Sequence, residues 1–123
     1  MYETVKMIPI SSKDLEQDLG KWLCTNPQGG MEAVRSYVIR HSEIIEPDLE
    51  FLSVELYLGP KRQADILFRK GKKYYVVEVK YGKFSELGAN AQVLRYREAL
   101  INVFRKKKVG FEEVIPVVCY EQT

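Results

Sequence analysis

The stretch ADILFRKGKKYYVVEVK, residues 64–80, decides the fold. It holds two apolar runs, ADILF at 64–68 and YYVVEV at 74–79, joined through Lys70-Gly71-Lys72. Short runs rich in Val, Ile, Tyr and Phe, separated by a glycine-bearing turn, read as the strands of a tight hairpin. Alternate residues on a strand share a face, so Glu78 and Lys80 point one way and Val77 and Val79 the other. Tyr75, Val76 and Val77 are apolar on both faces, the mark of a strand inside a sheet. A carboxylate and an ammonium on such a strand are costly to bury unless paired, hydrated or bound to metal. The hairpin brings Asp65 to the neighbouring strand, from which its carboxylate can converge on that of Glu78.

Before the hairpin, FLSVELYL at 51–58 partly alternates apolar with polar and reads as a strand, closed by the Gly59-Pro60 turn. Three strands joined by short turns form an antiparallel meander. After the hairpin, residues 89–106 read as a helix with Ala89, Val93, Tyr96, Leu100 and Val103 along one face. VIPVVCY at 114–120 is a last strand, able to pair parallel through a crossover. Its Pro116 points to a sheet edge or a bulge. Near the N-terminus, Ser11 caps a first helix with Asp14 as the reciprocal acid. Leu15, Leu19, Trp22 and Leu23 form its apolar stripe, and NPQGG at 26–30 ends it. A second, shorter helix is expected over about 31–41. The expected fold is α/β (α+β): one domain over 1–123, in the order α-α-β-β-β-α-β, with a small mixed four-stranded sheet flanked by helices.

Bulk composition agrees with such a domain. A chain of 123 residues with 46% hydrophobic, 11% aromatic and 29% charged residues fits one globular unit. No run approaches the roughly 18 apolar residues of a membrane helix. Residues 1–10 lack the pattern of a signal peptide, so an intracellular, cytoplasmic location is expected. Cys24 and Cys119 are far apart and outside any C-x-x-C pair, which suits buried reduced thiols. His41, the single histidine, has no second histidine for a zinc site and fits a solvated helix end. The net charge is only +2, but its distribution is uneven. Residues 61–83 hold eight basic residues against two acids, Asp65 and Glu78, whereas 43–55 hold five acids and no Lys or Arg. A basic region around two isolated carboxylates suits a nucleic-acid face; a solvated lysine-rich hairpin accounts for many of the same charges.

Two carboxylates and a backbone carbonyl make an oxygen site of the kind Mg²⁺ takes. Such an ion polarises a phosphate oxygen and lowers the pKa of its bound water, and a nearby lysine orients that water or neutralises transition-state charge. The bare spacing D-x₁₂-E-x-K is weak evidence, since an exposed salt-bridged hairpin has it too.

The segment resembles the motif of the PD-(D/E)xK nuclease superfamily, whose core is a helix, three antiparallel strands, a helix and a fourth strand. Gln92-Val-Leu-Arg95-Tyr96 is similar to the QxxxY element of its RecB-type members. LEQDLGKWLCTNP, ADILF, VVEVK and QVLRY occur in the order found in the C-terminal nuclease domain of NucS-type endonucleases, over about residues 11–101. The resemblance implies a restriction-endonuclease-like core and a Mg²⁺-dependent deoxyribonuclease, with Mn²⁺ as a substitute. It implies Asp65, Glu78 and the Val79 carbonyl as metal ligands, with Glu16 as an assisting acid. Lys80 would activate water, Gln92 and Tyr96 would hold phosphate or that water, and Arg95 would contact the DNA backbone, with Arg62 and Lys83 on the same nucleic-acid face. Ala64 stands where the motif name has proline, and Arg62 where NucS-type sequences favour glycine. No stretch of these 123 residues resembles the large N-terminal DNA-binding domain of those proteins, and a homodimer or an accessory protein is expected to complete the DNA contact. RNA is a further substrate to test, and a catalytically silent nucleic-acid-binding or scaffold protein of the same fold is the alternative.

Overall fold

The computed structural model of the chain describes residues 4–19 and 27–122. Trp22, Leu23, Cys24 and the start of the NPQGG turn lie outside them. The elements are β1 (Lys6–Ser11), α1 (Ser12–Leu19), α2 (Pro27–Arg40), a 3₁₀ turn (Ser42–Ile44), β2 (Glu50–Tyr57), β3 (Gln63–Lys70), β4 (Lys73–Lys80), α3 (Glu86–Lys106) and β5 (Glu113–Gln122).

The sheet has five strands in the order β1-β5-β4-β3-β2, one more than expected. β2, β3 and β4 form the antiparallel meander, and β5 pairs parallel to β4. The added strand is β1, parallel to β5 on its far side. Its sequence KMIPIS offers only a short apolar run broken by Lys6 and Pro9, and both are tolerated because β1 is an edge. β5 is therefore interior, which overturns the edge position suggested by Pro116. Pro116 faces Val76 of β4, while pairing with β1 begins only at Val117. The missing N–H thus falls where no β1 partner stands opposite.

Each face of the sheet carries its own core. On one side Leu15 of α1 and Val34 and Val38 of α2 pack on Ile66, Phe68, Tyr75, Val77 and Val79. On the other, Val93, Tyr96, Leu100 and Phe104 of α3 pack on Tyr74, Val76 and Val118. β4 alternates between the two sides, as its sequence requires, and each buried valine there contributes about 1.5–3 kcal/mol. Glu78 and Lys80 follow Tyr74 and Val76 onto the α3 face.

The helices begin where their caps stand. Ser11 Oγ accepts the Asp14 N–H at 3.0 Å, as the sequence implied. Ser85 Oγ likewise accepts the Gly88 N–H at 3.0 Å, so α3 starts at Glu86 rather than 89. α2 starts at Pro27, earlier than the expected 31, because proline suits the first helical turn. Gly30 is the place where this helix meets the segment just after β4: a methyl there would overlap the Tyr81 ring. His41 ends α2 less solvated than expected, with Nε2 3.2 Å from Asp18 of α1 and its ring 4.5 Å from that of Tyr37. Cys119 is a buried free thiol, raised in pKa by burial. No helix among the described residues is long and apolar enough to cross a membrane.

Candidate active site

The β3–β4 ladder runs from Lys70 opposite Lys73 to Ile66 opposite Val77 and stops there. One step further, the same register sets Asp65 opposite Glu78. At that step a side chain replaces the ladder: Asp65 Oδ2 accepts the Val79 N–H at 2.8 Å. The alternation of side chains also slips here. Ala64 and Leu67, three apart, both join the α3-side core, while Ile66 and Phe68 lie on the other face. A regular strand cannot place residues three apart on one face. Across β2, the residue in register with Asp65 is Glu55, and its φ is 51°. A non-glycine residue in that left-handed region costs about 1–2 kcal/mol. Asp65 thus stands at an opening of the sheet with irregular backbone beside it.

Glu78 is the one buried charged residue among those described, at 5% exposure. Its carboxyl interacts with the Asp65 carboxyl and the Tyr96 hydroxyl. Burial first, then the hydrogen bond and charge of Asp65, push the Glu78 carboxyl well above its ordinary 4.5; Lys80 and Tyr96 pull it down without reversing the shift. Two carboxyl groups this close resist ionising together, which favours the protonated form of Glu78. Tyr96 is buried as well, and burial followed by the charge of Glu78 pushes its phenol up to about 12. It is therefore a hydrogen-bond donor throughout the neutral range.

Lys80 Nζ donates to Gln92 Oε1 at 3.0 Å, using one of its three donors. Gln92 and Tyr96 are four apart on α3 and so share a face, Gln92 meeting Lys80 and Tyr96 meeting Glu78. The structure thus brings together Asp65, Glu78, Lys80, Gln92 and Tyr96. For Val79, the contact with Asp65 is through its N–H.

Two hollows border this cluster, and another lies beyond Arg95. Lys80, Gln92 and Arg95 line one of about 360 Å³ with Phe84 and Ser85. Arg95 reaches a second, of about 300 Å³, together with Arg62. Asp65 and Val79 line a third, of about 180 Å³, with Met31, Glu32, Arg35 and Glu55. Glu32 is an acid that sequence reasoning missed, since only the packing of α2 across the sheet brings it near Asp65. Glu16, the expected assisting acid, is exposed on α1 and lines none of these hollows. The basic residues of 61–83 divide by position. Arg62 sits beside Arg95, whereas Arg69 and Lys70, at the far end of the hairpin, are tied to Glu50 at 2.8 Å and Glu46 at 3.6 Å.

Among the described residues no group of three or more His, Cys, Asp or Glu side chains is gathered for a metal. Two carboxyl groups do converge, and their repulsion is of the kind a divalent cation relieves; the oxygens of Asp65 and Glu78 fit such an ion. No family model, no curated protein and no solved structure matches this chain.

Proposed function

We propose that the chain is a divalent-metal-dependent nuclease of the PD-(D/E)xK type, with a restriction-endonuclease-like core, that hydrolyses DNA phosphodiester bonds. The observation that carries this reading is the convergence of Asp65 and buried Glu78 where the β3–β4 ladder opens, with Lys80 on the same face of β4. A structural salt bridge does not need two adjoining acids, one of them almost fully buried. Asp65 and Glu78 would hold Mg²⁺, or Mn²⁺ in its place, which supplies polarisation of the phosphate and a more acidic bound water. Lys80, oriented by Gln92, offers its ammonium to the phosphate or to the attacking water. The Tyr96 hydroxyl, which interacts with Glu78, would help to orient its carboxylate. Arg62 and Arg95 offer charge to the backbone of the nucleic acid. A homodimer would supply two such sites for two strands.

The test pairs binding with turnover. Titration calorimetry of Mn²⁺ should give a heat signal in the wild type that is lost in Asp65→Ala and Glu78→Ala. Labelled linear, circular, flapped and single-stranded DNA, and RNA in parallel, should be cut only with Mg²⁺ or Mn²⁺ and not by Lys80→Ala. Salt-sensitive binding with no cleavage of any substrate would sink the enzyme and leave the silent binding module.

A further inference from the structure

Beside the candidate site lies a recess of about 640 Å³, lined by Gly82, Lys83, Phe84, Tyr120, Glu121 and Gln122. Phe84 is common to this recess and to the hollow that holds Lys80, Gln92 and Arg95, so the two adjoin across one ring. Tyr120 stands next to Lys80 in the β4–β5 register. The Phe84 and Tyr120 rings are half-buried, 5.4 Å apart and tilted by 54°. Gly82, at φ 77°, turns the chain out of β4 in a conformation that suits glycine, and so sets Lys83 and Phe84 at the recess wall. Glu121 is anchored by the Ser12 hydroxyl at the end of β5.

This set is neither a metal site nor a purely apolar groove. Two aromatic rings packed on the α3-side core line it, a carboxylate and an amide offer acceptors for an exocyclic amino group, and Lys83 offers charge to phosphate. Bases inside a duplex have both faces covered by their neighbours, so rings in a recess serve a base that has left the stack. We propose that this recess binds an unpaired nucleobase, one bearing an amino group, next to the phosphate held at Lys80. The chain then favours single-stranded or flapped ends over continuous duplex. The inference rests on the nuclease reading for its substrate class and adds the subsite that selects the substrate's form.

The experiment measures binding apart from turnover. A short fluorescein-labelled oligodeoxycytidylate is titrated into the full chain in EDTA, with one abasic residue moved stepwise along the strand. The wild type should lose about tenfold in affinity when the abasic residue occupies one particular position, and matched duplex should bind more weakly than the single strand. Phe84→Leu and Tyr120→Leu, checked for unchanged melting, should bind the intact strand about tenfold more weakly and lose the abasic penalty. The abasic series needs only wild-type protein, so a poorly folded variant does not blunt the test. Equal affinity for every abasic position, or for duplex and single strand, overturns the proposal. Metal-dependent cleavage without an abasic penalty removes the subsite and leaves the nuclease. An abasic penalty without cleavage in Mg²⁺ or Mn²⁺ keeps the base subsite and removes the nuclease.

Discussion

A carboxyl group buried beside a second one is a stability cost that only a proton or a cation relieves, and Glu78 is in that position. Its pKa in the folded chain lies above the unfolded value because burial and Asp65 disfavour its charge. In the window above the ordinary 4.5, the folded chain therefore binds more protons than the unfolded one. Stability of the metal-free protein is full below that window and falls as pH rises through it. Glu78→Gln keeps the shape and removes the titration. It should flatten this pH dependence and gain about 1 kcal/mol or more at mildly alkaline pH, read from denaturant unfolding at several pH values without metal. A steeper loss of stability at high pH in Glu78→Gln than in the wild type would contradict the assignment. Mg²⁺ should raise the melting temperature of the wild type and leave that of Glu78→Gln unchanged, because a ligand that binds only the folded state stabilises it. The shared face of Glu78 and Lys80 was legible in residues 64–80, since strand alternation alone puts both on one side. The burial of Glu78 was not, because it depends on Tyr96 and the rest of α3 closing over β4 from elsewhere in the chain.

At the scale of elements, β2 and α2 each break a local preference where they flank the site. Glu55 in β2 takes φ 51° opposite Asp65 and forms an ion pair with Arg35 at 3.0 Å. Both partners are partly exposed, so the pair contributes at most about 1 kcal/mol. The backbone cost is separable: Glu55→Gly and Glu55→Ala both lose the pair, but only alanine keeps the left-handed strain. Glu55→Gly should be the more stable of the two by about 1 kcal/mol in urea unfolding. The reverse order, the one expected of a regular strand, would place Glu55 in extended geometry. α2 carries glycine where helix propensity favours alanine by about 1 kcal/mol. Gly30→Ala should nonetheless destabilise the fold by about 1 kcal/mol or more, because the added methyl meets the body of the Tyr81 ring. A stabilised Gly30→Ala protein would mean that Tyr81 packs elsewhere. Neither feature was legible beforehand. NPQGG reads as a helix stop when only its neighbours in sequence are weighed, and nothing in FLSVELYL signals a left-handed residue. β1 was missed for a related reason: Met7, Ile8 and Ile10 become a strand only because β5 offers them an edge.

For the whole molecule, what was legible is the meander, the long helix and the parallel return, all set by apolar periodicity within each segment. What was not legible is how charge is divided over the surface, because ion pairs join residues distant in sequence. Arg69 lies in the same basic run as Arg62, but Glu50 of β2 already occupies its guanidinium, with Nε at 2.8 Å. Arg62 instead shares a hollow with Arg95 and Glu98, and Arg95 in turn shares another with Lys80, so both arginines stand on the approach to the candidate site. Each phosphate contact that an arginine makes releases counterions, and the dependence of affinity on salt counts those contacts. In metal-free DNA titrations over a range of salt, Arg62→Gln and Arg95→Gln should each weaken binding and lower the slope of log affinity against log salt by about 1. Arg69→Gln should leave the slope unchanged, since its charge is matched by Glu50 and lies at the end of the hairpin away from the ladder's opening. A slope that falls equally in all three variants would make the surface a uniform cationic coat. The proposed approach of a strand past Arg62 and Arg95 to Lys80 would then be overturned.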